Sequence, residues 1–187
     1  MTGKTSFGAP WSPRLKRSTL LAATLIAVVG LLQVATFPRH LLGGKPFVLS
    51  MCVLSGVLVG TALFLVRGYD LTTSELRVQR LLWATRIPLA DLKAAWADPA
   101  AMDSAIRLFG NGGLFAWTGV FSNRRTGRFR AFATEPRNAV VLRFAARLVV
   151  VTPDEPQELL NSLALLCPGV EIGKAPPDPP RQRPAAG

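Results

Sequence analysis

Histidine and tyrosine are almost missing from this chain. Its 187 residues include one of each, His40 and Tyr69. His40 lies between two long apolar runs, so everything after residue 66 is free of imidazole. That excludes a Ser-His-Asp or Cys-His nucleophilic set there and removes a common zinc ligand. Cysteine is scarce too. Cys52 lies inside the second apolar run and Cys167 far beyond it, which predicts neither a disulfide nor a metal site. Acidic residues number 11 against 22 basic ones. They are scattered, and the adjacent pair Asp154-Glu155 has a structural use as a helix start. No catalytic residue, metal ligand or cofactor is expected from this inventory. The net charge of +11 is spread along the chain, with +4 in residues 1–17 and +4 in residues 67–166. A spread excess suits a neighbour of anionic lipid, and no nucleic-acid partner is expected.

What the chain does have is two uncharged runs. Residues 18–38 read STLLAATLIAVVGLLQVATFP, and residues 46–66 read PFVLSMCVLSGVLVGTALFLV. A helix of about 20 residues covers roughly the 30 Å of a bilayer's hydrocarbon core. Two buried soluble helices would show a polar face, but these runs have only Gln33 and scattered Ser and Thr. The PRHLLGGK between them (Pro38, Arg39, His40, Gly43, Gly44, Lys45) is a charged turn. The expectation is a transmembrane helical hairpin over 18–66, preceded by a flexible basic arm over 1–17. The first run is too long for a signal core, and Gln33-Val34-Ala35 is a poor cleavage site, so the hairpin is expected to remain. Lys and Arg number four before the hairpin, two in its turn and four in the 20 residues after it. That bias predicts both termini on the cytoplasmic side of the membrane. Gly56 and Gly60 form a GxxxG step, and Ala23 and Ala27 a similar strip. Such strips would pack the hairpin or pair two copies of it into a homo-oligomer.

After Val66 the period changes to two, the mark of strands. Leu76 and Val78 alternate with Arg77 and Gln79, then Trp83, Thr85 and Ile87 with Ala84 and Arg86. Leu92 to Trp96 is the next strand, and residues 98–104 read as a loop or one helical turn. Gly110-Asn111-Gly112-Gly113 lacks the GxxxxGK[ST] pattern of a phosphate loop, so a loop between strands is expected. Phe115, Trp117, Gly119 and Phe121 then share one strand face. Ser122 to Gly127 turns, and Arg128 to Thr134 returns. Val140, Leu142 and Phe144 form a strand, as do Leu148 to Val151. That makes seven or eight short strands in a small antiparallel barrel or sandwich. Thr152, Pro153 and Glu155 read as a capping box for a helix whose apolar face is Leu159, Leu160, Leu163 and Leu166. Pro168 and Gly169 stop it. Residues 168–187 are rich in Pro and expected to be disordered.

The run YDLTTSELRVQRLLWATRIPLADLKAAW resembles the opening of bacterial pleckstrin-homology-like (PH-like) domains. GLFAWTGVFSNRRTGRFRAFATEPRNAVVLRF resembles their central block, with Phe132-Ala133-Thr134 where Tyr is usual. LVVVTPDEPQELLNSL is similar to their closing strand and helix. The resemblance implies a membrane α-helical hairpin followed by a mainly-β PH-like barrel of about seven strands with one C-terminal capping helix, over residues 67–167. It brings no catalytic residues. Three functional readings follow. The first is a membrane-anchored scaffold or assembly factor that binds another protein, without catalysis. The second is a module for anionic lipid head groups, using Arg124, Arg125, Arg128 and Arg130 around one hairpin. The third is an enzyme or transport component of unrecognised chemistry.

Overall fold

The computed structural model describes residues 5–36 and 44–173. Pro38, Arg39, His40 and Gly43 of the expected inter-helix turn lie outside the described residues, as do residues 1–4 and 174–187. Strand β1 is Ser6–Gly8 and helix α1 is Pro13–Thr36. Helix α1 begins five residues before the apolar run because Ser12-Pro13 is a strong start. The Leu15 N–H donates to Ser12 Oγ at 3.1 Å, and Pro13 has no N–H to satisfy. Helix α2, Lys45–Leu63, opens the same way with Pro46. Both helices are long and apolar enough to cross a membrane, with mean hydropathies of 2.1 and 2.0. Ser50 Oγ donates to Gln33 Oε1 at 3.0 Å and ties the two together. The glycine step does not. A Cβ at Gly56 or Gly60 would meet nothing within 4 Å, while Ala23 is half-buried and Ala27 exposed.

Strands β2 (Gly68–Leu71), β3 (Glu75–Gln79) and β4 (Ala84–Pro88) complete a sheet of order β1-β2-β3-β4. A second sheet is built from β5 (Leu92–Ala97), β6 (Ile106–Leu114), β7 (Ala116–Asn123) and β8 (Gly127–Ala133). Strands β9 (Val140–Phe144), β10 (Leu148–Val151) and β11 (Glu171–Ile172) join it. Its order is β11-β5-β9-β10-β8-β7-β6. Among the described residues no ladder joins the two sheets, so the barrel is not closed. Nor is it wholly antiparallel. Strand β10 pairs with β8 in parallel, and so does β11 with β5.

The central strands of the second sheet are buried on both faces. Val140, Leu142 and Phe144 point into a core shared with the first sheet and helix α3 (Pro156–Leu166), while Val141 points the other way. There Ala101, Met102 and Ala105 close a smaller core over Phe121 and Phe129. Two-sided burial is why β10 reads LVVV, with no alternation. Leu159, Leu160 and Leu163 of α3 are buried as the leucine pattern requires, and Leu166 packs against the same core.

Four expectations need correction. Residues 6–17 are not a flexible arm: β1 pairs with β2, Phe7 is buried, and Ser12 N–H donates to the Thr134 carbonyl. A three-residue strand is too short to show a period. The glycine stretch is not a loop but the middle of β6. Gly110 faces Gly119 on β7, and a Cβ at either would sit 2.3 or 2.1 Å from a backbone oxygen of the other strand. Thr152 does not cap α3. Glu155 takes the N-cap position before Pro156, and Thr152 is buried, its hydroxyl accepting from the Thr134 N–H at 2.8 Å. The tail does not begin at 168, because β11 adds to the sheet beyond Gly169.

Candidate functional site

Strand β6 is the open edge of its sheet, and it lies against both helices. The β6–β7 hairpin turns on Phe115, held at φ +63°. Ser18 Oγ donates to the Gly113 carbonyl at 2.6 Å, and the Phe115 N–H donates to Thr19 Oγ1 at 3.1 Å. The Trp11 and Phe115 rings meet edge-on. The hairpin end is thereby fixed to the second turn of α1, and β6 runs from there past α2.

Between α2 and β6–β7 lies a cavity of about 810 Å³. One wall is apolar: Gly56, Val57 and Gly60 of α2 face Phe109 and Val120. The lining also includes three arginines, Arg80, Arg107 and Arg130. Arg80 follows β3 directly and is only 6% exposed. Its Nε donates to Thr85 Oγ1 at 3.0 Å and its Nη1 to the Phe64 carbonyl at 2.9 Å. Its guanidinium lies within 6 Å of the Phe64, Trp83 and Phe132 ring centres, at 5.5, 5.9 and 5.3 Å. Burial, and then the charge of Arg130, push its pKa below the ordinary arginine value. Arg107 and Arg130 are exposed. Among the described residues no carboxylate pairs with any of the three. A buried cation beside a second one, without an anion, is costly. Thr118, 7% exposed, also lines the cavity, and its hydroxyl has no hydrogen-bond partner among the described residues.

Of the four hairpin arginines expected as contacts, only Arg130 reaches this cavity. Arg124 and Arg125 sit on the turn at the other end of β7, and Arg125 pairs with Asp98 at 3.3 Å. Arg128 is exposed two residues before Arg130 on the same strand. Arg80, Arg107 and Thr118 were not singled out by the sequence reading. The available signal was Arg80 directly before the apolar turn Leu81-Leu82-Trp83, which stays exposed. Among the described residues no group of three His, Cys, Asp or Glu could hold a metal ion.

A two-sheet domain with a capping helix, carried on two apolar helices and offering a basic cavity, has the form of a binding module. Residues 67–166 match the bacterial PH domain family, and the chain belongs to it. PH domains are generally non-catalytic modules that bind protein or lipid. No curated protein and no solved structure matches the chain significantly.

Proposed function

We propose that this is a membrane-anchored, non-catalytic module that binds anionic lipid of the leaflet facing its PH-like domain. The observation that carries this reading is the cavity beside the C-terminal half of α2, whose lining includes three arginines that no carboxylate among the described residues pairs with. With α1 and α2 spanning the bilayer, Arg80, Arg107 and Arg130 lie at head-group depth, where planar guanidinium holds phosphate in two hydrogen bonds. The surroundings fit that depth. Trp11, Phe115, Phe64 and Trp83 ring the ends of the two helices, as aromatic residues do at bilayer interfaces. Phe109 and Leu82 are 78% and 75% exposed beside them, apolar surface that a bilayer covers. Backbone near that depth needs partners, and Ser18 and Thr19 supply them to the hairpin end.

The lipid site differs from the arginine hairpin expected from sequence. The eight residues of β7 put Arg124 about 25 Å from the helix-bound hairpin end, well beyond a Debye length of about 8–10 Å. A test uses the full-length protein in nanodiscs containing phosphatidylglycerol and phosphatidylcholine, with co-purifying lipid measured after extraction. The Arg107→Gln/Arg130→Gln pair, both exposed, should lose anionic lipid by up to about 30-fold, at about 1 kcal/mol per cation. Arg124→Gln/Arg125→Gln should retain it. Equal retention by all three proteins would leave the protein-binding scaffold as the better reading.

A further inference from the structure

The cavity has two unlike halves, and the head-group reading uses only one. We infer that it holds a single anionic glycerophospholipid, with its phosphate among Arg80, Arg107 and Arg130 and one acyl chain laid along Gly56 and Gly60 of α2. The inference rests on the lipid reading above and deepens it from a charged surface to a site with a defined occupant.

Two observations call for more than a head group, and a third for the phosphate itself. First, the α2 wall is stripped of side chains at two successive turns. A Cβ at Gly56 or Gly60 would meet nothing within 4 Å, so these glycines do not serve close packing inside this chain. They leave a trough against the helix backbone, faced by Val57, Phe109 and Val120. A free phosphate or a soluble anion makes no use of such a wall, whereas a hydrocarbon chain of the leaflet packs along it. Second, the Thr118 hydroxyl lies in the cavity lining, buried and without a partner among the described residues. Buried polar groups are nearly always satisfied, and a glycerol or ester oxygen between phosphate and chain would satisfy this one. Third, among the described residues no carboxylate pairs with the arginines, so a phosphodiester supplies the missing charge. The volume of about 810 Å³ suits a head group and part of a chain, the remainder continuing along α2 into the leaflet.

The test is native mass spectrometry of the full-length protein released from micelles, titrated with phosphatidylglycerol, with soluble glycerol phosphate, or with uncharged diacylglycerol. Wild type should carry one phosphatidylglycerol and bind each of the other probes at least tenfold more weakly. Gly60→Leu fills the trough without touching the arginines and should weaken the phosphatidylglycerol adduct at least tenfold. Thr118→Val keeps the shape, should leave the melting temperature unchanged or raised, and should weaken the adduct several-fold. Wild-type retention in both variants, or glycerol phosphate binding as well as the lipid, would overturn the acyl-chain site. Charge-dependent binding would then survive if Arg107→Gln/Arg130→Gln still lost lipid. Loss of a dimer mass in Gly60→Leu, with the lipid adduct intact, would instead assign the glycine trough to a second copy's helix.

Discussion

The Tyr69 hydroxyl joins the two sheets. It donates to the Phe132 carbonyl at 2.6 Å and accepts from the Thr152 N–H at 3.1 Å, all of it buried. Tyr69→Phe would leave that carbonyl and that N–H without the partner a buried group needs, so it should cost about 1–3 kcal/mol of stability. Desolvation raises the Tyr69 pKa from 10.0 to about 12, against the lowering effect of its bonds to Thr152. A raised pKa means the folded chain keeps this proton after the unfolded chain releases it. The contribution is whole below pH 10 and falls between pH 10 and 12 by about 1.4 kcal/mol per pH unit. Unfolding followed from pH 9 to 12 should therefore show a shallower alkaline loss in Tyr69→Phe than in wild type. Parallel curves would mean that Tyr69 is not the buried titrating group. Arg80 is the opposite case: its two hydrogen bonds are made, yet among the described residues no carboxylate pairs with its charge.

Helix α3 and strand β1 are both short elements that close the larger core, but they differ in how well the sequence announces them. Leu159, Leu160, Leu163 and Leu166 repeat at helical spacing, so α3 was legible; its start was misplaced because Pro156 offers a second N1 position after Pro153. Leu163→Asp should unfold the domain, since it puts a carboxylate in a fully buried place. A cooperative, native-like far-UV and thermal transition in that variant would show α3 undocked. Strand β1 contributes one core side chain, Phe7, among Gly, Ser and Pro, and a single apolar residue has no period. Phe7→Ala should nevertheless cost about 3–5 kcal/mol, as for other buried Phe truncations. Residues 67–166 alone, although they cover the family match, would lack both Phe7 and Val66 from the core and should be less stable than the chain that keeps them. Strands with one buried face, such as β3 with Leu76 and Val78, could be read from alternation. Strand β6 could not, because the glycines that let it approach β7 are the residues that usually mark loops. The cavity was hidden for the same reason: its lining comes from β6, β7, the end of α2 and Arg80, which are far apart in the sequence.

Strand β1 precedes α1, and its partner β2 follows α2, yet Phe7 and Tyr69 face each other in one ladder. A sheet cannot be shared across a bilayer, so two helices that cross it must bring the chain back to the side from which it left. The Asp154 N–H bond to the Gly8 carbonyl makes the same demand from the far end of the domain. The charge bias points the same way: four Lys and Arg stand before the hairpin and four in the 20 residues after it, against two between the runs. Reporter fusions at Met1 and after Gly187 should therefore both give cytoplasmic signals. Two external signals would reverse the orientation while keeping the hairpin. Opposite signals would break the hairpin and the β1–β2 ladder together. Deleting residues 45–63 turns the same logic into a second measurement. With one crossing left, β1 and the domain fall on opposite sides, Phe7 leaves the core, and protease should digest the domain in the deleted protein but not in the intact one.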